Sequence, residues 1–160
     1  MKNFRQLSRV KQKLTQSECE EVLEKALRGV LALNGDDGYP YALPVNFYYD
    51  KALRKIYFHS GKKGYKIDCI DRSSKASFTV SDDGIRKEGE WWLTIKSVVI
   101  FGKIGKIDDP KEIEAISRKL SYKFTQDEEY INREIEKYAP ATLLLALTIE
   151  DICGKSVREK

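Results

Sequence analysis

Residues 56–68 read IYFHSGKKGYKID and carry most of the side chains in this protein that could do chemistry. They include the single histidine, His59, and set Lys62, Lys63 and Lys66 around Gly61 and Gly64. Glycines leave backbone amides uncovered, so N–H groups near Gly61 and Gly64 can converge on an anion. A helix beginning near Gly64 would aim its positive end and its free amides into the same space. Ser60 adds a hydroxyl, and Lys62 and Lys66 add charge. Together these suit a phosphate. The pattern is not GxxxxGK[ST], so it is no nucleotide P-loop. A solvated basic turn uses the same residues, and the segment alone leaves both readings open. His59 shares a strand face with Tyr57, opposite Ile56 and Phe58. A lone histidine there serves either as a hydrogen-bonded structural residue or as an acid–base group near neutral pH.

A second stretch of interest is ALPVNFYY, residues 42–49, where Pro44 and Asn46 interrupt an apolar strand. A break in the ladder exposes backbone N–H and C=O groups that can read a flat polar heterocycle, and an edge strand with a bulge accounts for it equally. Trp91 and Trp92 precede the longest strand-like run; one is expected in the core and the other at a subunit or cofactor interface. Asp36-Asp37 and Asp82-Asp83 lie in turns and read as turn chemistry. The three cysteines, Cys19, Cys69 and Cys153, are far apart with no CxxC, and one histidine cannot build a His-rich metal site. They read as reduced thiols of a cytoplasmic protein.

The elements that must position these residues follow from the pattern. The chain has 160 residues, enough for one domain with a real core, and no apolar run of membrane-spanning length. Its net charge of +4 comes from 29 basic and 25 acidic residues mixed almost everywhere, which argues against a nucleic-acid-binding face. Residues 15–28 predict an amphipathic helix with Thr15 or Ser17 as N-cap, ending at Gly29. GDDG at 35–38 predicts a hairpin turn between two strands. Pro40 and Pro44 make the second of these an edge or a bulged strand. Residues 65–72 predict a short helix, Gly102 and Gly105 predict bulges or bends in a long strand, and Asp109-Pro110 starts a helix lined by Ile113, Ile116 and Leu120. A further helix spans about 127–138, and a last strand covers 141–152. The sum is a mainly β protein with about six antiparallel strands in a closed or partly closed barrel, flanked by helices.

The segments LALNGDDGYPYALPVNFYY, KIYFHSGKKGYKIDCI, KSVVIFGKI and IEDICGK occur in that order. Together they resemble the nitroimidazole-resistance (Nim) family of the pyridoxamine 5′-phosphate oxidase-like flavin-binding proteins, over roughly residues 15–155. The chain departs from the usual pattern at Lys96, where arginine is common, and at Gly61, where alanine is common. The resemblance implies a six-stranded split β-barrel of Greek-key type, one FMN-binding domain over 1–160 with an N-terminal arm at 1–14 and a tail at 155–160. It also implies a homodimer with FMN between the subunits. Carried onto this chain, the backbone of Pro44, Val45, Asn46 and Phe47 would lie along the isoalloxazine ring. Phe58, His59 and Ser60 would flank the flavin, Lys62 and Lys66 would hold its phosphate, and Ser97, Val98 and Val99 would contribute from the central strand. Trp92 would reach the cofactor of the other subunit.

On this resemblance the expected function is an FMN-dependent oxidoreductase that reduces a nitroaromatic such as a 5-nitroimidazole, or a similar small acceptor, with His59 supplying a proton or orienting the substrate. The alternatives are a flavin-binding electron carrier without turnover, or a split barrel holding haem or a deazaflavin. One imidazole is a poor set of haem ligands. No metal, nucleic acid or membrane partner is expected.

Overall fold

The protein's structure, a computed structural model, describes residues 3–158. Seven strands form one antiparallel sheet in the order β2-β1-β5-β6-β7-β4-β3. The first two strands, β1 (Arg28–Asn34) and β2 (Pro40–Asn46), are the hairpin predicted around GDDG. Its turn needs left-handed backbone at Asp37 and Gly38, with φ of 54° and 78°. The predicted edge position of Pro40 and Pro44 holds, since β2 ends the sheet.

The sixth strand of the sequence expectation is corrected to a seventh, and the reason is geometric. ALPVNFYY is not one strand. After β2 the chain passes through Phe47 alone and begins β3 (Tyr48–Asp50), which lies at the opposite edge of the sheet. Two edges joined by one residue must be neighbours, because one residue spans only about 3.5 Å. The sheet therefore rolls into a barrel, split along a seam between its edges. Phe47 is fully buried and packs edge-on against Phe78, with ring centroids 4.9 Å apart.

The remaining strands are β4 (Lys55–Gly61), β5 (Lys75–Ser81), β6 (Thr94–Ile107) and β7 (Thr142–Arg158). Alternation sorts their side chains. Leu31, Phe58, Phe78, Val80, Val98 and Ile100 fill the barrel, while Tyr57 turns outward beneath a helix with Ile113, Ile116, Leu144 and Ala146. The bulge expected at Gly102 is present: the β6–β7 register shifts between Phe101 and Gly102, and a Cβ at Gly102 would run into the Thr148 carbonyl. Gly105 continues the ladder without a shift.

Among the described residues four α-helices flank the barrel: α1 (Gln16–Lys25), α2 (Tyr65–Arg72), α3 (Pro110–Ser121) and α4 (Glu128–Tyr138). Thr15, not Ser17, caps α1, in a capping box with Glu18. The helix stops at Lys25 instead of Arg28, because Ala26 turns extended so that Arg28 can pair with Asn46. The last strand runs past the expected end at 152, since residues 155–158 pair with Thr94–Ser97; the tail is thus largely strand, and residues 159 and 160 lie outside the described ones. The N-terminal arm is also pinned in part. Leu14 is buried, its amide donates to the Gly154 carbonyl at 2.9 Å, and Phe4 stacks on Phe101. Residues 1 and 2 of that arm lie outside the described ones. Among the described residues no helix is long and apolar enough to cross a membrane.

The lysine that follows α3 ties these layers together. Lys123 Nζ donates to the carbonyls of Ala26 at 2.6 Å and Phe47 at 2.9 Å and sits 4.0 Å from the centre of the Phe47 ring. Burial pushes its pKa down to about 8.

The two glycines of β6 give a direct test of the bulge. Gly102→Ala is expected to cost about 2 kcal/mol or more, because backbone must shift, whereas Gly105→Ala, with open space at its Cβ, stays within about 0.5 kcal/mol of the parent. Urea denaturation of both variants measures the difference.

Candidate functional site

The seam brings the two chemistry-bearing segments together. In the β3–β4 ladder Tyr48 pairs with Tyr57 and Tyr49 with Ile56. Past Phe47, β2 and β4 lie in contact across the seam. The contact of Tyr41 with Tyr65, 4.5 Å between ring centroids, confirms that β2 and the start of α2 lie side by side. No ladder bridges β2 and β4 among the described residues.

The backbone along the seam is left with unused hydrogen-bonding groups. The Gly35 amide donates to the Tyr39 carbonyl at 2.9 Å, which sets the parity of the β1–β2 hairpin. By that parity, Tyr41, Leu43 and Val45 exchange bonds with β1, and Pro40, Ala42, Pro44 and Asn46 turn their backbone polar atoms toward the seam. Proline is tolerated at 40 and 44 because its missing N–H faces the open side. The side chains of Pro44 and Asn46 are exposed on the outer surface, while Val45 packs against the core and Phe47 is fully inside. Among Pro44–Phe47, then, the backbone is the part offered at the seam.

At the other side, β4 runs into a loop and then α2. Gly64 precedes the helix at φ 122°, a conformation that L side chains rarely adopt. It offers no side-chain cap, so the amides of Tyr65 and Lys66 keep their donors free of helical partners, while that of Ile67 already donates to the Gly64 carbonyl at 2.9 Å. Lys66, in that first turn, is half-buried and forms no ion pair with any described residue; desolvation lowers its pKa. An unpaired ammonium beside free helix amides is a cradle for an anion. The neighbours are more committed. Lys62 Nζ donates to the Pro140 carbonyl at 2.8 Å, and Ser60, buried, donates its hydroxyl to the Gly61 carbonyl at 2.9 Å. Phe58 is fully buried in the barrel core.

His59 projects outward at the seam, toward α3, and its Nε2 lies 2.8 Å from the Ser117 hydroxyl. Its ring is exposed at the surface, yet enough protein surrounds it for desolvation to lower its pKa from the ordinary 6.5. The ring is therefore neutral at pH 7, with one nitrogen anchored. Ser117 escaped the sequence reading, although a serine at i+4 from Ile113 and next to Ile116 on an apolar helix face was the available signal. Lys123, beyond a helix end, gave none.

Ser97, Val98 and Val99 lie elsewhere on the same chain. Val98 is buried inside the barrel, and Ser97 and Val99 face out. Pro44, Val30, Thr79, Val99 and Cys153 form one cross-strand row on an outward face that no helix of the described residues covers. Val99 lies three strand spacings, about 14 Å, from Pro44 and about eight residues along β6, ~26 Å, from the level of His59. Trp92 sits in the loop between β5 and β6, edge-on to Trp91 with centroids 6.0 Å apart. The fold thus unites the β2, β4 and α2 residues and leaves the β6 residues and Trp92 apart. Among the described residues no group of three His, Cys, Asp or Glu side chains could hold a metal.

The split barrel has known counterparts. The family model described as pyridoxamine 5′-phosphate oxidase matches residues 15–156, and the chain belongs to that family. Three solved structures share its fold. One is a candidate 5-nitroimidazole antibiotic resistance protein from Bacteroides thetaiotaomicron, with TM-score 0.75 and 19% identity over 91% of this chain and 87% of that one. An FAD-binding protein from Mesorhizobium loti has TM-score 0.63 and 23% identity over 91% and 96%. The FAD and haem binding protein from Mycobacterium smegmatis has TM-score 0.67 and 22% identity over 91% and 72%. None of the curated protein sequences matches the chain.

The desolvation of the His59 ring has a consequence for stability. A lowered folded-state pKa means that the unfolded chain takes up a proton first on acidification, so this residue's contribution is present above 6.5 and is lost as pH falls below it. His59→Gln is expected to flatten stability against pH below 6.5 relative to the parent in urea titrations.

Proposed function

We propose that this protein binds FMN along the seam and works as a reductase of small acceptors, with a nitroaromatic such as a 5-nitroimidazole as one substrate class, in a homodimer that completes the site. The observation that carries this reading is the pairing, across the seam, of an open backbone edge at Pro44–Asn46 with the unpaired Lys66 at the start of α2. A phosphorylated planar heterocycle needs both: an anion cradle for its tail and free backbone donors and acceptors for its ring edge. The family membership supports it further, and the FAD named for two of the similar structures supports a flavin in this fold.

In this reading Lys66 and the first amides of α2 hold the phosphate. Lys62 joins them by leaving the Pro140 carbonyl, and Ser60 adds its hydroxyl. Along Pro44, Val45, Asn46 and Phe47, the open backbone groups of Pro44 and Asn46 read the ring, with Phe58 and His59 behind it. The outward row through Val99, with Ser97 beside it, is the surface that meets a second subunit, bringing Ser97, Val98, Val99 and Trp92 of one protomer toward the cofactor of the other. When bound, FMN supplies two-electron transfer to the acceptor. His59 orients the acceptor: with Nε2 accepting from the Ser117 hydroxyl, Nδ1 carries the proton and presents it at the seam.

The test begins with the purified protein. A yellow preparation that releases FMN on heating is the expected result; a colourless protein that takes up neither FMN nor FAD would overturn the reading, and FAD released in its place would overturn the FMN assignment. Lys66→Met is expected to weaken FMN binding about 10- to 100-fold, the loss of one charge-assisted contact, with Lys66→Arg restoring part of it. Reduction of a 5-nitroimidazole with NADH or NADPH separates enzyme from carrier. His59→Ala should lower kcat with FMN still bound; unchanged kcat removes histidine from the reaction.

A further inference from the structure

A cleft of about 760 Å³ opens where α1 ends and β1 begins, next to the loop that follows β5. That volume is typical of small-molecule sites. Its apolar wall includes Val22, Leu27, Ile85 and Phe124. Leu27, Ile85 and Phe124 are 46%, 65% and 47% exposed, so three large apolar side chains from separate segments stand in water around one opening.

Most charges in the cleft are already engaged. Lys25 pairs with Glu21 at 2.5 Å, and Lys96 lies 3.6 Å from Glu18. Asp82 Oδ1 accepts the amides of Gly84 at 3.1 Å and Lys96 at 2.9 Å, which shapes the loop. Arg28 is the exception among the cations. Its Nε donates to Asn46 Oδ1 at 2.8 Å, and its guanidinium forms no ion pair with any described residue. The bond to Asn46 fixes one side of the fork and leaves the Nη groups for a partner. A guanidinium presented in this way matches a carboxylate, which it can bind through two parallel bonds. Asp83, also lining the cleft without an ion pair among the described residues, disfavours a second negative group.

We infer that this cleft binds a planar organic monoanion, its carboxylate on the Arg28 guanidinium and its apolar body against Leu27, Ile85 and Phe124. The site adjoins the seam, because Arg28 of the cleft bonds to Asn46 at the end of β2. Its bearing on catalysis rests on the flavin reading, in which the acceptor would be a small aromatic acid held beside the ring; its occupancy does not.

The test uses benzoate and its neutral analogue benzamide, titrated into the purified full-length protein and followed by the amide signals of Leu27, Arg28, Ile85 and Phe124. Benzoate is expected to shift these signals saturably, with benzamide at least about tenfold weaker, the loss of roughly one charge-assisted contact. Arg28→Met should weaken benzoate by a similar factor, and Arg28→Lys should recover part of the affinity. Equal responses to the two compounds, no shift at these four residues, or benzoate binding unchanged in Arg28→Met would each overturn the inference. Flavin content is read separately by absorbance. A colourless protein that binds benzoate keeps the cleft and loses the flavin reading, and a yellow protein indifferent to benzoate does the reverse.

Discussion

The fold depends on one short crossing. Phe47 is the only residue between the strand at one edge of the sheet and the strand at the other. Closure of the barrel is a consequence of chain connectivity before any packing is counted. The crossing is then held from three sides: its ring is buried against Phe78, its ring face meets the Lys123 ammonium, and its carbonyl accepts from the same group. Because Lys123 also binds the Ala26 carbonyl at the end of α1, one cation couples the crossing, the first helix and the end of α3. That cation is costly to bury, which is why its pKa falls, and it is retained at neutral pH by two carbonyl oxygens and an aromatic face.

The crossing also creates the site. A single residue can bring two edges close, but it cannot align their ladders, so the strands diverge beyond Tyr48 and Tyr57 and leave a seam. Backbone groups that a continuous sheet would satisfy internally are left to face it. Fold closure and the open backbone edge thus have the same origin. The proline positions agree with this, since Pro40 and Pro44 remove donors only on the side where no partner strand exists.

Around the seam, desolvation acts on the basic groups in a graded way. His59 and Lys66 are both lowered by it, and neither is offset by a nearby carboxylate. A neutral histidine anchored by Ser117 and an unpaired ammonium at a helix start are different tools, one for placing a proton and one for holding an anion. The Arg28–Asn46 bond extends this polar set around the end of β2 into the neighbouring cleft.

Much of this was legible in the residues themselves. The hairpin at GDDG, the capping box at Thr15, the Asp109-Pro110 helix start, the Gly102 bulge and the edge character of β2 are local, and local sterics and hydrogen bonding dictate them. The residue inventory at 60–66, glycines and lysines between a strand and a helix, was legible for the same reason. What the sequence left open was decided by long-range geometry. ALPVNFYY carries no signal that Phe47 changes edges, because a strand and a one-residue crossing share the same apolar pattern. Ser117, Lys123 and Arg28 take their roles from partners 58, 76 and 18 residues away in the chain. Sequence by itself determined the elements and the chemical inventory, since these depend on neighbours a few positions apart. Only the tertiary structure decided which of those groups meet at the seam, because closure of the barrel sets distances that no local pattern encodes.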